Sequence, residues 1–127
     1  MPFNYNKHEK LKSRKRIKQL FEDGKAISVF PLRLVYLKAE HDGEYLLKTG
    51  VSVSKRNFKL AVHRNRIKRL MREVYRLNKS ILYNNMDEKY VFMFIYLGKE
   101  EIAYTKLDTK MKALMTLFLA KTETIKN

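Results

Sequence analysis

Between residues 64 and 76 the chain places Arg64, Asn65, Arg66, Lys68, Arg69, Arg72 and Arg76 around a single acid, Glu73. A guanidinium is a planar fork of donors that stays charged, and it matches phosphate oxygens and base edges better than the point charge of a lysine. Asn65, between two arginines, adds a donor and an acceptor suited to a base edge or a ribose hydroxyl. On a helix advancing about 100° per residue, Arg64, Lys68, Arg69, Arg72, Arg76 and Lys79 project within about 140°, with Asn65 among them and Arg66 at the flank. A solvated charged face is the plainer explanation of most such helices, but those faces mix signs. Here neighbours at i and i+4 (Arg64 with Lys68, Lys68 with Arg72, Arg72 with Arg76) repel, at roughly 1 kcal/mol together. A polyanion bound to that side offsets the repulsion.

No comparable arrangement equips the polypeptide for catalysis. Gly24, Gly43, Gly50 and Gly98 are too scattered to cradle a phosphate. His8, His41 and His63 lack metal-ligand spacing, and the absence of cysteine removes thiolate ligands, thiol nucleophiles and disulfides. The carboxylate pairs Glu22-Asp23, Asp87-Glu88 and Glu100-Glu101 fall in turns or helix ends, where solubility and capping account for them. The reading is therefore no catalytic residue and no metal or cofactor held by the protein alone.

Positioning the arginines requires a scaffold, and 127 residues suffice for one domain with a core, the ends at 1–6 and 122–127 being expected to fray. The net charge of +15 is confined to two windows. Residues 7–18 hold seven cations against Glu9, and residues 55–79 hold ten against Glu73, so the remainder is neutral. Ser13 is placed to cap a first helix from Arg14 to about Glu22, stopped at Gly24, with Ile17, Leu20 and Phe21 forming its apolar stripe. Leu32 to Ala39 reads as a strand, with an extra short strand possible before Pro31. Asp42-Gly43 then predicts a hairpin turn into a returning strand, Tyr45 to Ser54. In that strand Val51 and Val53 alternate with Ser52 and Ser54.

Ile67, Leu70, Met71, Val74, Leu77 and Ile81 predict a helix from about Leu60 to Leu82. Tyr90 to Leu97, apolar on both faces, reads as a buried central strand. Leu107, Met111, Leu114, Met115 and Phe118 predict a C-terminal amphipathic helix. The fold class expected is α+β (an α/β sandwich), with one mixed sheet packed against helices. If the strands ending at Ser54 and starting at Tyr90 are parallel neighbours, the basic helix is a crossover, by general statistics right-handed.

Val51-Ser-Val-Ser-Lys55 followed by Ala61-Val-His-Arg-Asn-Arg-Ile-Lys-Arg-Leu-Met-Arg-Glu73 resembles the signature of the protein subunit of bacterial ribonuclease P. The resemblance extends through Leu11, Lys12, Phe21 and Gly24, and the element order fits from residue 7 to about 120. It implies a left-handed crossover, and a catalytic centre that lies in a large RNA subunit carrying Mg²⁺. The complex removes the 5′ leader from precursor tRNA. By the same resemblance Lys55, Arg56, Arg64, Asn65, Arg66, Lys68, Arg69, Arg72 and Arg76 face RNA, and Ile17, Phe21, Ser52, Ser54 and Lys55 line a cleft for the leader. Ile17 stands where an aromatic residue is common in the family, which favours an apolar contact over stacking. Lys59-Leu60 stand where many members have Gly-Asn, leaving the start of the helix open.

The partners so implied are the RNA subunit, in a 1:1 complex with a monomeric protein, and precursor tRNA, with neither DNA nor membrane. The longest apolar run, the eight residues from Tyr90 to Leu97, is far short of the roughly 20 a membrane span requires. With no apolar core of a signal peptide near Met1, a cytoplasmic location is expected. Composition alone equally fits a structural RNA-binding protein of the ribosome, and less well a basic helix lying on a membrane surface.

Overall fold

The computed structural model describes residues 9–38 and 46–123. Its elements are α1 (Arg14–Asp23), β1 (Lys25–Val29), β2 (Leu32–Lys38), β3 (Leu47–Val53), α2 (Ala61–Asn78), α3 (Ser80–Tyr83), β4 (Tyr90–Tyr96) and α4 (Tyr104–Glu123). They build one mixed four-stranded sheet in the order β1-β2-β4-β3, the α+β architecture expected from the sequence. Strand β4 is in the interior, antiparallel to β2 and parallel to β3. The extra strand before Pro31 is present as β1.

The predicted hairpin between the second and third strands does not form. β2 and β3 never pair, because β4 inserts between them. A strand with no polar face gains most from the middle of the sheet, and this outweighs local turn preference. The Asp42-Gly43 turn itself lies outside the described residues. The hairpin is instead β1–β2, closed at Phe30-Pro31, whose peptide bond is cis. Helix α4 continues through Glu123, with Thr122 Oγ1 donating to the Phe118 carbonyl at 3.0 Å, while 124–127 and the N-terminal stretch expected to fray lie outside the described residues.

Strand alternation sends Leu34, Tyr36, Tyr90, Phe92, Phe94 and Tyr96 to the face covered by α2 and α4. Phe118 of α4 meets the rings of Tyr36, Phe92 and Tyr90 edge-on, at 5.0, 4.9 and 5.2 Å. Val35, Val91 and Met93 point the other way and pack with Leu11 and Leu20 under α1. Helix α1 is short and begins where Ser13 Oγ accepts the Arg16 N–H at 3.3 Å. It stops at Gly24, though not by a left-handed turn: the backbone there is extended, and a Cβ would come within 2.3 Å of the Leu20 carbonyl oxygen. The glycine is required by close approach.

Polar ties also hold the layers in place. Glu9 and Lys79 are both buried, with Lys79 Nζ 2.7 and 2.8 Å from the two carboxylate oxygens and the Tyr83 hydroxyl donating to one of them at 3.1 Å. Backbone bonds from Thr49 N to Glu9 O (2.6 Å) and from Leu11 N to Thr49 O (2.9 Å) lay the same segment along the outer edge of β3. Between helices, Asn78 of α2 donates to Asp108 of α4 at 2.6 Å. That bond first, and one from Lys112 second, hold the Asp108 carboxyl below its ordinary range.

Lys79→Met strands a buried carboxylate and is expected to cost about 3 to 5 kcal/mol in chemical denaturation. The Asp108 contribution has the opposite reach, because a depressed carboxyl pKa stabilises the fold above the ordinary value of 3.8 and is lost as the pH falls through the folded value. Stability measured against pH should therefore drop less steeply on the acid side in Asn78→Ala than in the parent.

Candidate nucleic-acid interface

Helix α2 docks through Ile67, Met71, Val74, Tyr75 and Asn78, all buried, and the Tyr75 hydroxyl accepts a 3.1 Å bond from Thr49 Oγ1 on β3. That fixes which side faces out. Asn65, Arg66, Arg69 and Arg72 are exposed, while Arg64, Lys68 and Arg76 are half-buried. The helix begins at Ala61, one residue later than its periodicity suggested, and Leu60 offers no side-chain cap. Arg64 tidies this end instead, donating from one guanidinium nitrogen to the carbonyls of Phe58 (2.7 Å) and Lys59 (2.9 Å).

The cationic residues fall into two groups. Some are engaged within the protein: Arg64 as above, Arg66 with Glu101 at 3.1 Å, and Arg76 with Glu73 at 2.5 Å. The hydrogen bond from Arg76 holds the Glu73 carboxyl below its ordinary range. His63 Nδ1 also lies 3.4 Å from Glu101. Lys79, assigned by helical projection to the outer side, is instead buried against Glu9, at the junction between α2 and α3. By contrast, the side chains of Lys55, Arg56, Asn65, Lys68, Arg69 and Arg72 make no hydrogen bond or ion pair among the described residues. Among the described residues, acidic compensation is thus confined to the flank and end of the ridge, and its middle has no acidic partner there.

On the opposite face of the sheet, Ile17 packs beside the Leu11–Leu20 cluster with Ile95, and Ser52 is the register partner of Ile95. Ile17 and Ser52 therefore border the same side of the sheet. Phe21 is 51% exposed, so it is not a core residue. Ser54 and Lys55 lie beyond the end of β3, where Ser54 Oγ accepts the Arg56 N–H at 3.1 Å and shapes the exposed turn leading to α2. The residue that sequence reasoning missed is Glu101. Its pairing with Arg66 and His63 spans more than thirty positions and leaves no local signature.

The same fold recurs in solved ribonuclease P proteins. The Staphylococcus aureus protein superposes with a TM-score of 0.69 at 17% identity, over 86% of this chain and 94% of that one. The Thermotoga maritima protein gives 0.67 at 22%, over 84% and 94%. Sequence comparison goes further. The family model described as Ribonuclease P matches residues 5–119. The ribonuclease P protein component of Porphyromonas gingivalis is 46% identical over 94 residues, 73% of this chain and 68% of its own length. That of Dictyoglomus thermophilum is 35% identical over 85 residues, 67% and 68% of the two chains. The chain belongs to the ribonuclease P protein component family.

The division of the cations has a measurable consequence. Arg64→Ala is expected to lower folding stability by about 1 to 2 kcal/mol, since it removes charge-assisted bonds to two carbonyls. A thermal melt of Arg69→Ala, Arg72→Ala together should match the parent, or rise slightly as like charges are removed.

Proposed function

We propose that this chain is the accessory protein of an RNA-catalysed endoribonuclease, binding both the catalytic RNA and the 5′ leader of precursor tRNA while the leader is cut away. Family membership already implies tRNA processing by an endoribonuclease complex. The observation that carries the finer reading is the uncompensated middle of the ridge, Asn65, Lys68, Arg69 and Arg72, continued by Lys55 and Arg56. Arginine forks there suit phosphate oxygens, and Asn65 suits a base edge or a ribose hydroxyl. Arg64, Arg66 and Arg76 add positive potential while holding loop, flank and helix end.

The leader is assigned to the other side of the sheet, against Ile17, Phe21, Ser52, Ser54 and Lys55. Half-exposed Phe21 offers a ring to an unpaired base, and Ile17 an apolar contact. Catalytic RNA and substrate RNA repel one another, and a small cationic protein between them offsets that repulsion. The Mg²⁺ of the reaction is assigned to the RNA subunit, as the family resemblance implies. The assembly so proposed is one protein on one RNA in the cytoplasm.

Reconstitution with a bacterial catalytic RNA and a precursor tRNA at low Mg²⁺ tests this reading. Stimulated cleavage with the correct 5′ end supports it, and binding without stimulation points to a structural RNA-binding protein instead. Six phosphate contacts predict a log–log salt slope of about −4 to −5 for binding the catalytic RNA. Replacing Arg69 and Arg72 by alanine should flatten that slope by about 2.

A further inference from the structure

A second hollow, outside both surfaces described above, lies between the β1–β2 turn and the start of α4. It is a groove of about 560 Å³ lined by Phe30, Pro31, Lys99, Lys106 and Lys110, with Tyr96 at its floor. Phe30 is 68% exposed, more than any other large apolar side chain among the described residues. Its ring stands on a fixed base, because Leu97 N donates to the Pro31 carbonyl at 2.7 Å and ties the turn to the end of β4. The facing loop is preformed as well. The Tyr96 hydroxyl donates to the Glu100 carbonyl, and a Cβ at Gly98 would meet the Tyr96 ring at 2.8 Å.

Charge in the groove is one-sided. Lys99, Lys106 and Lys110 make no ion pair among the described residues, whereas Lys112 on the same helix is bound to Asp108 at 3.0 Å. Of the two acids on the lining, Glu101 is already held by Arg66 and His63, which leaves Glu100 against three lysines. Glu101 and Ile102 also line an adjoining hollow of about 440 Å³ formed with Arg66, Arg69 and Leu70 of α2. The groove therefore runs on from the arginine ridge, and it lies on the α2–α4 side of the sheet, away from α1.

We propose that this groove binds an unpaired segment of the same catalytic RNA, with one base stacked on Phe30 and flanking phosphates on Lys99, Lys106 and Lys110. The proposal rests on the reading of α2 as the surface for that RNA. An exposed aromatic ring beside unpaired lysines is the arrangement that holds single strands, since a base must leave its helix to reach the ring. Continuity with the ridge selects the catalytic RNA over the leader, whose proposed cleft is on the other face.

The test is equilibrium binding of the full-length protein to the catalytic RNA, together with photo-crosslinking to that RNA carrying 4-thiouridine. Phe30→Ala should weaken binding about tenfold with an unchanged circular dichroism spectrum, and Phe30→Tyr should retain it. Lys106→Ala with Lys110→Ala should flatten the log–log salt slope by about 1.4, the value for two phosphates of a single strand. Crosslinked RNA should be recovered on the tryptic peptide spanning 26–33, which contains Phe30. Parent-like affinity in Phe30→Ala overturns the proposal. So does loss of precursor tRNA binding alone, which would make the occupant the leader, or loss of self-association alone, which would make the patch a contact between copies. Unchanged RNA affinity in Arg69→Ala, Arg72→Ala with a clear loss in Phe30→Ala would remove the ridge reading and leave the groove.

Discussion

The constraint that organises this molecule is a strand with no polar face. Tyr90 to Tyr96 presents rings on one side and Val91, Met93 and Ile95 on the other, so it needs neighbours at both edges and cover on both faces. β2 and β3 supply the edges, and the connection from β3 to a parallel neighbour has to cross the sheet. That crossing is α2. Once α2 and α4 lie over the rings and α1 over the smaller side chains, each helix has one side left for solvent, and in α1 and α2 that side carries the charge. The placement of the cationic surface thus follows from the burial of an uncharged strand.

Electrostatics then divides residues that look alike in sequence. Arg64, Arg66, Arg76 and Lys79 stabilise the protein's own geometry, while Asn65, Lys68, Arg69 and Arg72 keep their donors available. The engaged group sits at the ends and along one flank of α2, where neighbouring segments approach. Of the open group, Asn65, Arg69 and Arg72 are exposed and Lys68 is half-buried. A ridge built this way is anchored at its edges, so the fold fixes the backbone from which the central forks emerge without neutralising them.

Much of this was legible in the residues. The Ser13 cap, the stop at Gly24, the central position of Tyr90–Tyr96, the C-terminal helix through Leu107, Met111, Leu114, Met115 and Phe118, and the outward face of α2 are local or periodic signals, and the structure bears them out. The features that were not legible depend on distant partners. Asp42-Gly43 carried the stronger turn chemistry, yet the hairpin closes at Phe30-Pro31, because pairing is decided by β4, some sixty residues away. Lys79 continued the cationic pattern, but its environment is set by Glu9, and Arg66 finds Glu101 only after the sheet has formed. Phe30 read as one more apolar residue in a strand-forming stretch, and nothing local marked it for the surface.

The burial of Glu9 has a bearing on where the domain begins. Its carboxylate meets Lys79 and Tyr83, and its carbonyl pairs with Thr49, so a residue ahead of the first helix belongs to the interior. Glu9 is thus tied into the fold twice, by its buried charge and by the backbone pairing of its segment with β3. Trimming the chain to its first helical turn would withdraw a counter-charge from the far end of the longest crossover and uncover the outer edge of β3.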